Sequence, residues 1–403
     1  MLEYLNRQID EICTHRALRL YGAALCSGSA LAFLAWGRNT GPRLADAASA
    51  ICWPFFEECF RYRLLAGDQI TALILVGGVL SGLGALLFLS PRRCGPAWAL
   101  LLAVNVLRTL VLVQDYSLRL NQHYFLSFAV LLFLFFPGKR NLLRYYLVFV
   151  YFWAGILKLD WEWLSGAALY GDPLWIPKSL IPASAVYVVI LECLLVWGML
   201  SRRRWVYWTT FLQLCLFHLV SFPVVGFFYP VLMYLFLTIF PLTYFLKSDL
   251  EAPSLLRSLA RGKEPLTTYL FLLLFGLFQL MPKIMPGDEA VTGEGRLYAI
   301  HMFDARTVCQ GAIIARYGGR EVKVVEIPSV GTPRIRCDPV VYFSIARRTC
   351  WERRSDPTFV DLDLLLESRR QTAEEMRTVV DIRGFCALNP SYRMLWPNRW
   401  INR

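Results

Sequence analysis

The residues that could do chemistry in this chain sit where ionisable groups are costly. Lys158 lies in YFWAGILKLDWEWLSG, residues 151–166, three positions before Trp-Glu-Trp. His123 lies in LNQHYFL, His218 in FHLVSFPVVGFFYPVLM, and Arg108 and Glu192 are each embedded in otherwise apolar sequence. An amine in an apolar pocket loses the solvation that favours its ammonium form, so it can stand neutral near pH 7 and act as a base. Charges inside a membrane core face partners or cavities. Each residue also has a plainer reading. A lysine near a helix end snorkels to the headgroups, a histidine at a boundary is interfacial, and Arg108 and Glu192 are structural. No GxSxG elbow, Gly-rich phosphate loop or HExxH occurs, and only 4 histidines are present, which argues against serine, phosphoryl and zinc-peptidase chemistry. The 11 cysteines lack CxxC or Cys/His spacing, so no metal is expected.

The elements that must hold these residues are membrane spans. The 403 residues are 56% hydrophobic and 18% charged, and the apolar runs recur at lengths near the roughly 20 residues that cross a hydrocarbon core. Nine runs are candidates: Ala17 to Trp36, Gln69 to Leu89, Ala97 to Val113, His123 to Phe136, Leu142 to Leu159, Ala183 to Leu200, Trp205 to Ser221, Gly226 to Phe245 and Pro265 to Pro282. The first is read as a span and not as a cleaved signal. A net charge of +12 is gathered in short clusters between these runs, a pattern of bilayer orientation that argues against nucleic acid. Arg7 and Arg16, Arg92 and Arg93, Lys139 to Arg144, Arg202 to Arg204, and Lys247 to Lys263 share one side, which is therefore cytoplasmic, with the N-terminus. An odd number of spans leaves the C-terminal portion outside, and His123, Lys158 and His218 then fall near the outer face.

Residues 286–403 are richer in charge and have no run long enough to span, so the expected fold is polytopic α-helical (residues 1–285) with a smaller extracytoplasmic α+β, mostly β, domain. GAIIARYGGREVKVVEI reads as a hairpin with a tight primed turn at Gly318-Gly319, Val340 to Arg354 as a helix, and FVDLDLLL and RTVVDIRGF as strands. Cys52, Cys59, Cys309, Cys337, Cys350 and Cys386 all fall on the outer side, where disulfides persist, though spacing alone leaves their pairing open.

The stretch around Lys158 resembles the signature YFxAGxxKLxxxWxxG of the vitamin K-dependent gamma-glutamyl carboxylase family and its bacterial relatives, the horizontally transferred transmembrane domain proteins. Tyr151, Phe152, Ala154, Gly155, Lys158, Leu159, Trp163 and Gly166 fill every fixed position. LNQHYFL is similar to the family's WNNHSYL, FHLVSFPVVGFFYPVLM to FHxxNxxxFxxGxFPYVM, RLYAIHMF to a YSWDMM-like stretch, and IIARYGGREVKVV to ITYRDGRTGEL. ICWPF and RRTCW look like the two segments the family joins by a disulfide, which implies a bond between Cys52 and Cys350.

The resemblance implies an integral membrane enzyme that oxidises a reduced naphthoquinone, vitamin K hydroquinone or menaquinol-like, with O2 to an epoxide. A strongly basic alkoxide formed on the way takes a γ-proton from a peptide glutamate, and the carbanion takes CO2. Lys158 would be the hydroquinone base, His123 would assist near the glutamate or CO2, and His218 would contact the quinone oxygen or support the site. Tyr298, Met302 and Phe303, with Trp163 and Asn121, would line the quinone site. Implied partners are the bilayer, the quinone and a peptide or protein substrate outside the cytoplasm, most simply at a bacterial inner membrane. The chain departs from the family at Leu120, Gln122 and Ile300, and lacks the long luminal region with which animal carboxylases hold a propeptide. Hydroquinone oxidation is therefore the firmer expectation and glutamate carboxylation the weaker. The alternative is a non-enzymatic maturation, export or immunity factor of a toxin or peptide system, in which Lys158 organises the bundle by pairing with Glu192 or Asp160.

Overall fold

The structure is a computed structural model that describes residues 2–39, 50–62, 65, 67–171, 174–246, 255–299, 306–327 and 333–403. Its helices run in the order α1 (Leu2–Thr14), α2 (Arg16–Asn39), α3 (Gly67–Phe88), α4 (Cys94–Leu112), α5 (Asn121–Phe135), α6 (Lys139–Leu157), α7 (Ile181–Cys193), α8 (Arg204–Val225), α9 (Phe228–Leu237), α10 (Ile239–Phe245), α11 (Leu266–Ile284) and α12 (Pro339–Arg353), with short turns between. Seven described stretches are long and apolar enough to cross a membrane: Arg16–Arg38, Gly67–Phe88, Pro91–Leu112, Lys178–Leu200, Arg204–Val225, Phe228–Phe245 and Leu266–Ile284. The chain is thus a polytopic helical protein with seven such helices among the described residues, against an expectation of about nine.

The two remaining expected spans are α5 and α6. Helix α5 has 15 residues, about 22 Å at 1.5 Å per residue, short of a hydrocarbon core of about 30 Å. Helix α6 has 19 residues, but Lys139, Arg140 and Arg144 occupy its first two turns. Both helices are packed largely against protein, with Tyr145, Tyr146, Leu147, Val148 and Tyr151 of α6 and Phe125, Leu126, Ala129 and Val130 of α5 all buried, while Phe128 and Leu131 of α5 are exposed. A helix surrounded by other helices need not carry the uniform hydropathy that lipid demands.

The chain divides into two compact units, the first comprising Met1–Gly41, Thr71–Val111 and Leu120–Leu277, the second Pro42–Ile70, Leu112–Arg119 and Phe278–Arg403. The second unit therefore takes in the first long loop as well as the C-terminal portion. In the first unit, buried Lys139 is neutralised from α1, its Nζ lying 2.7 Å from Gln8 Oε1 and 3.1 Å from Glu11 Oε2. A disulfide, Cys13–Cys94, ties α1 to the start of α4. Charge counting assigns both of these cysteines to the cytoplasmic side, where thiols are usually kept reduced.

The second unit is built on an antiparallel sheet of strands β1 (Thr307–Tyr317), β2 (Val322–Val324), β3 (Phe359–Arg370) and β4 (Arg377–Ile382), in the order β2-β1-β3-β4. Leu362, Leu364 and Leu366 alternate inward along β3, the period-2 pattern of a strand with one covered face. The β1–β2 hairpin forms where the sequence places it, but its turn is longer than the tight one expected. Arg316 pairs with Val322, the Tyr317 amide donates to Glu321 O at 2.9 Å, and Gly319 alone of the two glycines takes positive φ, at 76°.

The disulfide implied by family likeness is not formed. Cys52 bonds Cys59, Cys350 bonds Cys386, and Cys309 bonds Cys337. The segments around Cys52 and Cys350 do meet within the second unit, by other means. The Cys52 amide donates to Ser344 Oγ at 2.7 Å, Arg347 pairs with Glu57 at 2.9 Å, and Phe60 packs on Trp351 at 5.5 Å between ring centroids. Cys52 and Cys350 each have another cysteine close by in the same unit, at Cα separations of 5.4 and 5.6 Å, within the usual disulfide range.

Candidate functional site

Helix α6 ends at Lys158, whose amide donates to Gly155 O at 3.1 Å. Asp160 makes the ending, because it caps the one-turn helix Trp161–Leu164 and accepts from the Glu162 amide at 2.8 Å, so the chain turns away after the lysine. Lys158 and Glu192 of α7 are both buried, at 2% and 0% exposure. Lys158 Nζ lies 2.5 Å from Glu192 Oε2. The partner is thus Glu192, while Asp160 serves as the cap.

Gly155 makes the pairing possible. A Cβ there would lie 2.6 Å from Cys193 Sγ and 2.9 Å from Glu192 Cβ, so only glycine lets α7 come close enough to deliver its carboxylate to the amine. Gly166 plays a second steric part, with φ +77° and Ile181 Cγ2 only 2.7 Å from where a Cβ would stand. Between the two glycines, Trp163 donates its Nε1–H to Ala185 O of α7 at 3.0 Å and presents its ring to Lys158 Nζ, 5.2 Å from the centroid.

His218 of α8 is wholly buried and its Nε2 lies 2.6 Å from the hydroxyl oxygen of Tyr151, two turns before Lys158 on α6. Phe217, Tyr229 and Tyr234 surround the imidazole at 5.0, 5.4 and 6.0 Å between centroids. Two buried polar atoms here have no hydrogen-bond partner, Glu192 Oε1 and His218 Nδ1.

His123, in the first turn of α5, belongs to a different cluster. Its ring stacks on Trp36 of α2 at 4.1 Å and faces Phe228 of α9 at 5.2 Å, and neither ring nitrogen has a hydrogen-bond partner. Helix α9 links the clusters, since Phe228 lies against His123 and the next residue, Tyr229, against His218. Arg108 of α4 donates to Ser127 Oγ at 2.6 Å, one helical turn after His123 on α5.

Of the residues chosen from sequence, Lys158, Glu192, Trp163 and His218 gather around the end of α6, with His123 and Arg108 apart from them. Asn121 is the partly exposed first residue of α5. Tyr298 belongs to the second unit, where it stacks on Phe278 at 6.0 Å. Met302 and Phe303 lie outside the described residues. Tyr151 as the partner of His218, and Trp36, Asn105 and Ser127 around the second cluster, escaped sequence reasoning. Tyr151 carried a signal: it is a fixed position of the motif seven residues before Lys158, hence on the same helical face. Compared with family profiles, curated proteins and solved structures, the chain matches none.

Proposed function

We propose that this protein is an integral membrane enzyme in which Lys158, paired with Glu192, takes a proton from a reduced naphthoquinone. The observation that carries the proposal is a buried amine–carboxylate pair, 2.5 Å apart, between Lys158 of the stretch that fills every fixed position of the carboxylase-family signature and Glu192 of α7. The surroundings fit such a ligand. Tyrosine and tryptophan rings supply apolar walls, and Glu192 Oε1 and His218 Nδ1 are buried polar atoms free to meet its oxygens. When bound, the hydroquinone supplies the reducing electrons for reaction with O2 and yields an epoxide.

The proton balance assigns roles to both members of the pair. Two titrating sites share one proton, whether as ammonium and carboxylate or as amine and carboxylic acid. Uptake of a second proton ends with an ammonium on Lys158 and a carboxylic acid on Glu192. That adds one positive charge to a buried site, which a bound oxyanion offsets. Lys158 is the atom-level acceptor in the neutral-amine form, and Glu192 stores the proton that the amine already held. Tyr151 fixes the His218 ring, so that its Nδ1 stays directed as a donor or acceptor according to tautomer. CO2 addition to a peptide glutamate, outside the cytoplasm, is the finer form of the proposal.

Membranes supplied with reduced naphthoquinone and O2 should form the epoxide, detected by mass spectrometry, and Lys158→Ala should abolish it. Equal yield from the variant sinks the proposal. Labelled CO2 with a glutamate peptide tests the finer form.

The pair itself also favours a second reading, a maturation, export or immunity factor whose bundle is organised by Lys158 and Glu192. Stability alone does not separate the two, because in both a lone buried charge left by a single substitution is destabilising. The double variant Lys158→Met/Glu192→Leu does: an enzyme folds but forms no epoxide, whereas a non-enzymatic factor keeps its biological function.

A further inference from the structure

We infer that Arg108 and His123 form a binding site for a monocarboxylate within the helical unit. Arg108 is 1% exposed, and its hydrogen-bond partners among the described residues are both neutral: Nη2 donates to Asn105 Oδ1 at 2.7 Å and to Ser127 Oγ at 2.6 Å. Nε and Nη1 have no partner. Three of the five N–H donors of a buried guanidinium are therefore unused, and among the described residues no carboxylate hydrogen-bonds or ion-pairs with it.

His123 stands on the same ground. Ser127, which receives Arg108, is one helical turn after His123, so the two residues share a face of α5. The guanidinium thus reaches the face from which the imidazole projects. His123 is 1% exposed and both its nitrogens lack partners. In either neutral tautomer one of them is a donor. The Trp36 and Phe228 rings pack on the imidazole, at 4.1 and 5.2 Å between centroids, and give the site apolar walls.

A buried cation with no counter-ion is strongly unfavourable, and an unmade hydrogen bond at each orphaned donor adds to the cost. An oxyanion relieves both. A carboxylate carries the single negative charge that one guanidinium matches, and has lone pairs enough for Arg108 and His123 together. A dianion would leave an excess charge in the same apolar walls. No residue of the Lys158 cluster enters the argument, so the site stands or falls independently of hydroquinone chemistry.

The test is thermal unfolding of the full chain in detergent, titrated with sodium acetate or sodium octanoate at constant ionic strength made up with sodium chloride. Wild type should show a saturable rise in Tm. Arg108→Met should abolish it, and His123→Phe should weaken apparent affinity at least about tenfold. Without carboxylate, Arg108→Met should melt no lower than wild type, because an uncompensated charge has been removed. Response to acetate and octanoate alike marks a small free carboxylate, and response to octanoate alone marks a lipid-borne one; both uphold the site. Absence of a saturable response, an equal response in Arg108→Met, or an equal response to chloride overturns it. If Arg108→Met yields no folded protein, His123→Phe decides, and an unchanged affinity there overturns the site.

Discussion

Removing either half of the Lys158–Glu192 pair should damage the helical unit more than removing both. With Nζ and Oε2 2.5 Å apart, their attraction at an effective dielectric of about 20 is roughly 7 kcal/mol, most of which offsets the desolvation of two ions. Lys158→Met leaves a buried carboxylate alone, and Glu192→Leu leaves a buried ammonium alone. Each should cost about 3–5 kcal/mol, which at about 2 °C per kcal/mol lowers Tm by roughly 6–10 °C. The double variant replaces both ions with apolar groups of similar length and should return to within about 2 kcal/mol of wild type. Thermal unfolding of the four proteins in detergent, followed by tryptophan fluorescence, gives the coupling energy directly. A value below about 0.5 kcal/mol, the range expected of residues that do not meet, would refute the pairing and with it the proton balance built on it.

Tyr151→Phe should leave His218 Nε2 buried without its 2.6 Å partner, costing about 1–3 kcal/mol in the same unfolding measurement, whereas Tyr187→Phe at an exposed hydroxyl should cost under about 0.5 kcal/mol. Peptide mapping without reductant should recover Cys52 with Cys59, Cys309 with Cys337 and Cys350 with Cys386; on loop entropy, the 36-residue separation of the last pair contributes about 4 kcal/mol and the 7-residue separation of the first about 2 kcal/mol. Asp288 is partly buried, which raises its carboxyl pKa, but the Arg370 hydrogen bonds at 2.6 and 2.7 Å and the Arg370 charge prevail and hold it below the usual 3.8. Its stabilisation is therefore complete above the unfolded pKa and lost as pH falls through the folded one. The stability gap between wild type and Asp288→Asn should be flat above about pH 5 and shrink steadily on acidification below about pH 4; a gap that widens in acid contradicts the pairing.

Most helices and strands were legible because their signal is local. The strand FVDLDLLL alternates its leucines to one face, and the helix from Pro339 begins where Asp338 can accept from the Val340 amide at 3.0 Å. Helices α5 and α6 were legible as helices but fall short of the spans expected, because α5 has only 15 residues and α6 opens on Lys139, Arg140 and Arg144. The six outer cysteines were legible as a disulfide-forming set and not as pairs, since which cysteine lies 5.4 Å away depends on how loops return, and Cys13–Cys94 lay outside that set. At the site, Lys158, His218 and Glu192 stood out because a charge or imidazole in an apolar run is rare. The cluster around Arg108 was missed because Asn105 and Ser127 are ordinary residues until the fold brings both to one guanidinium.

The spacing of YFxAGxxKLxxxWxxG also acquires a geometric meaning. Of its fixed positions, Gly155 sets how near two helices approach, Trp163 bonds the same neighbour after the chain reverses, and Gly166 clears room for that neighbour's first turn. The motif is largely a blueprint for one helix crossing and the return that braces it, with a single position given over to an amine. A chain that keeps the blueprint inherits a rigid, desolvated niche at a fixed place in the bundle. New chemistry can then be fitted by changing what the crossing helix offers at the place of Glu192.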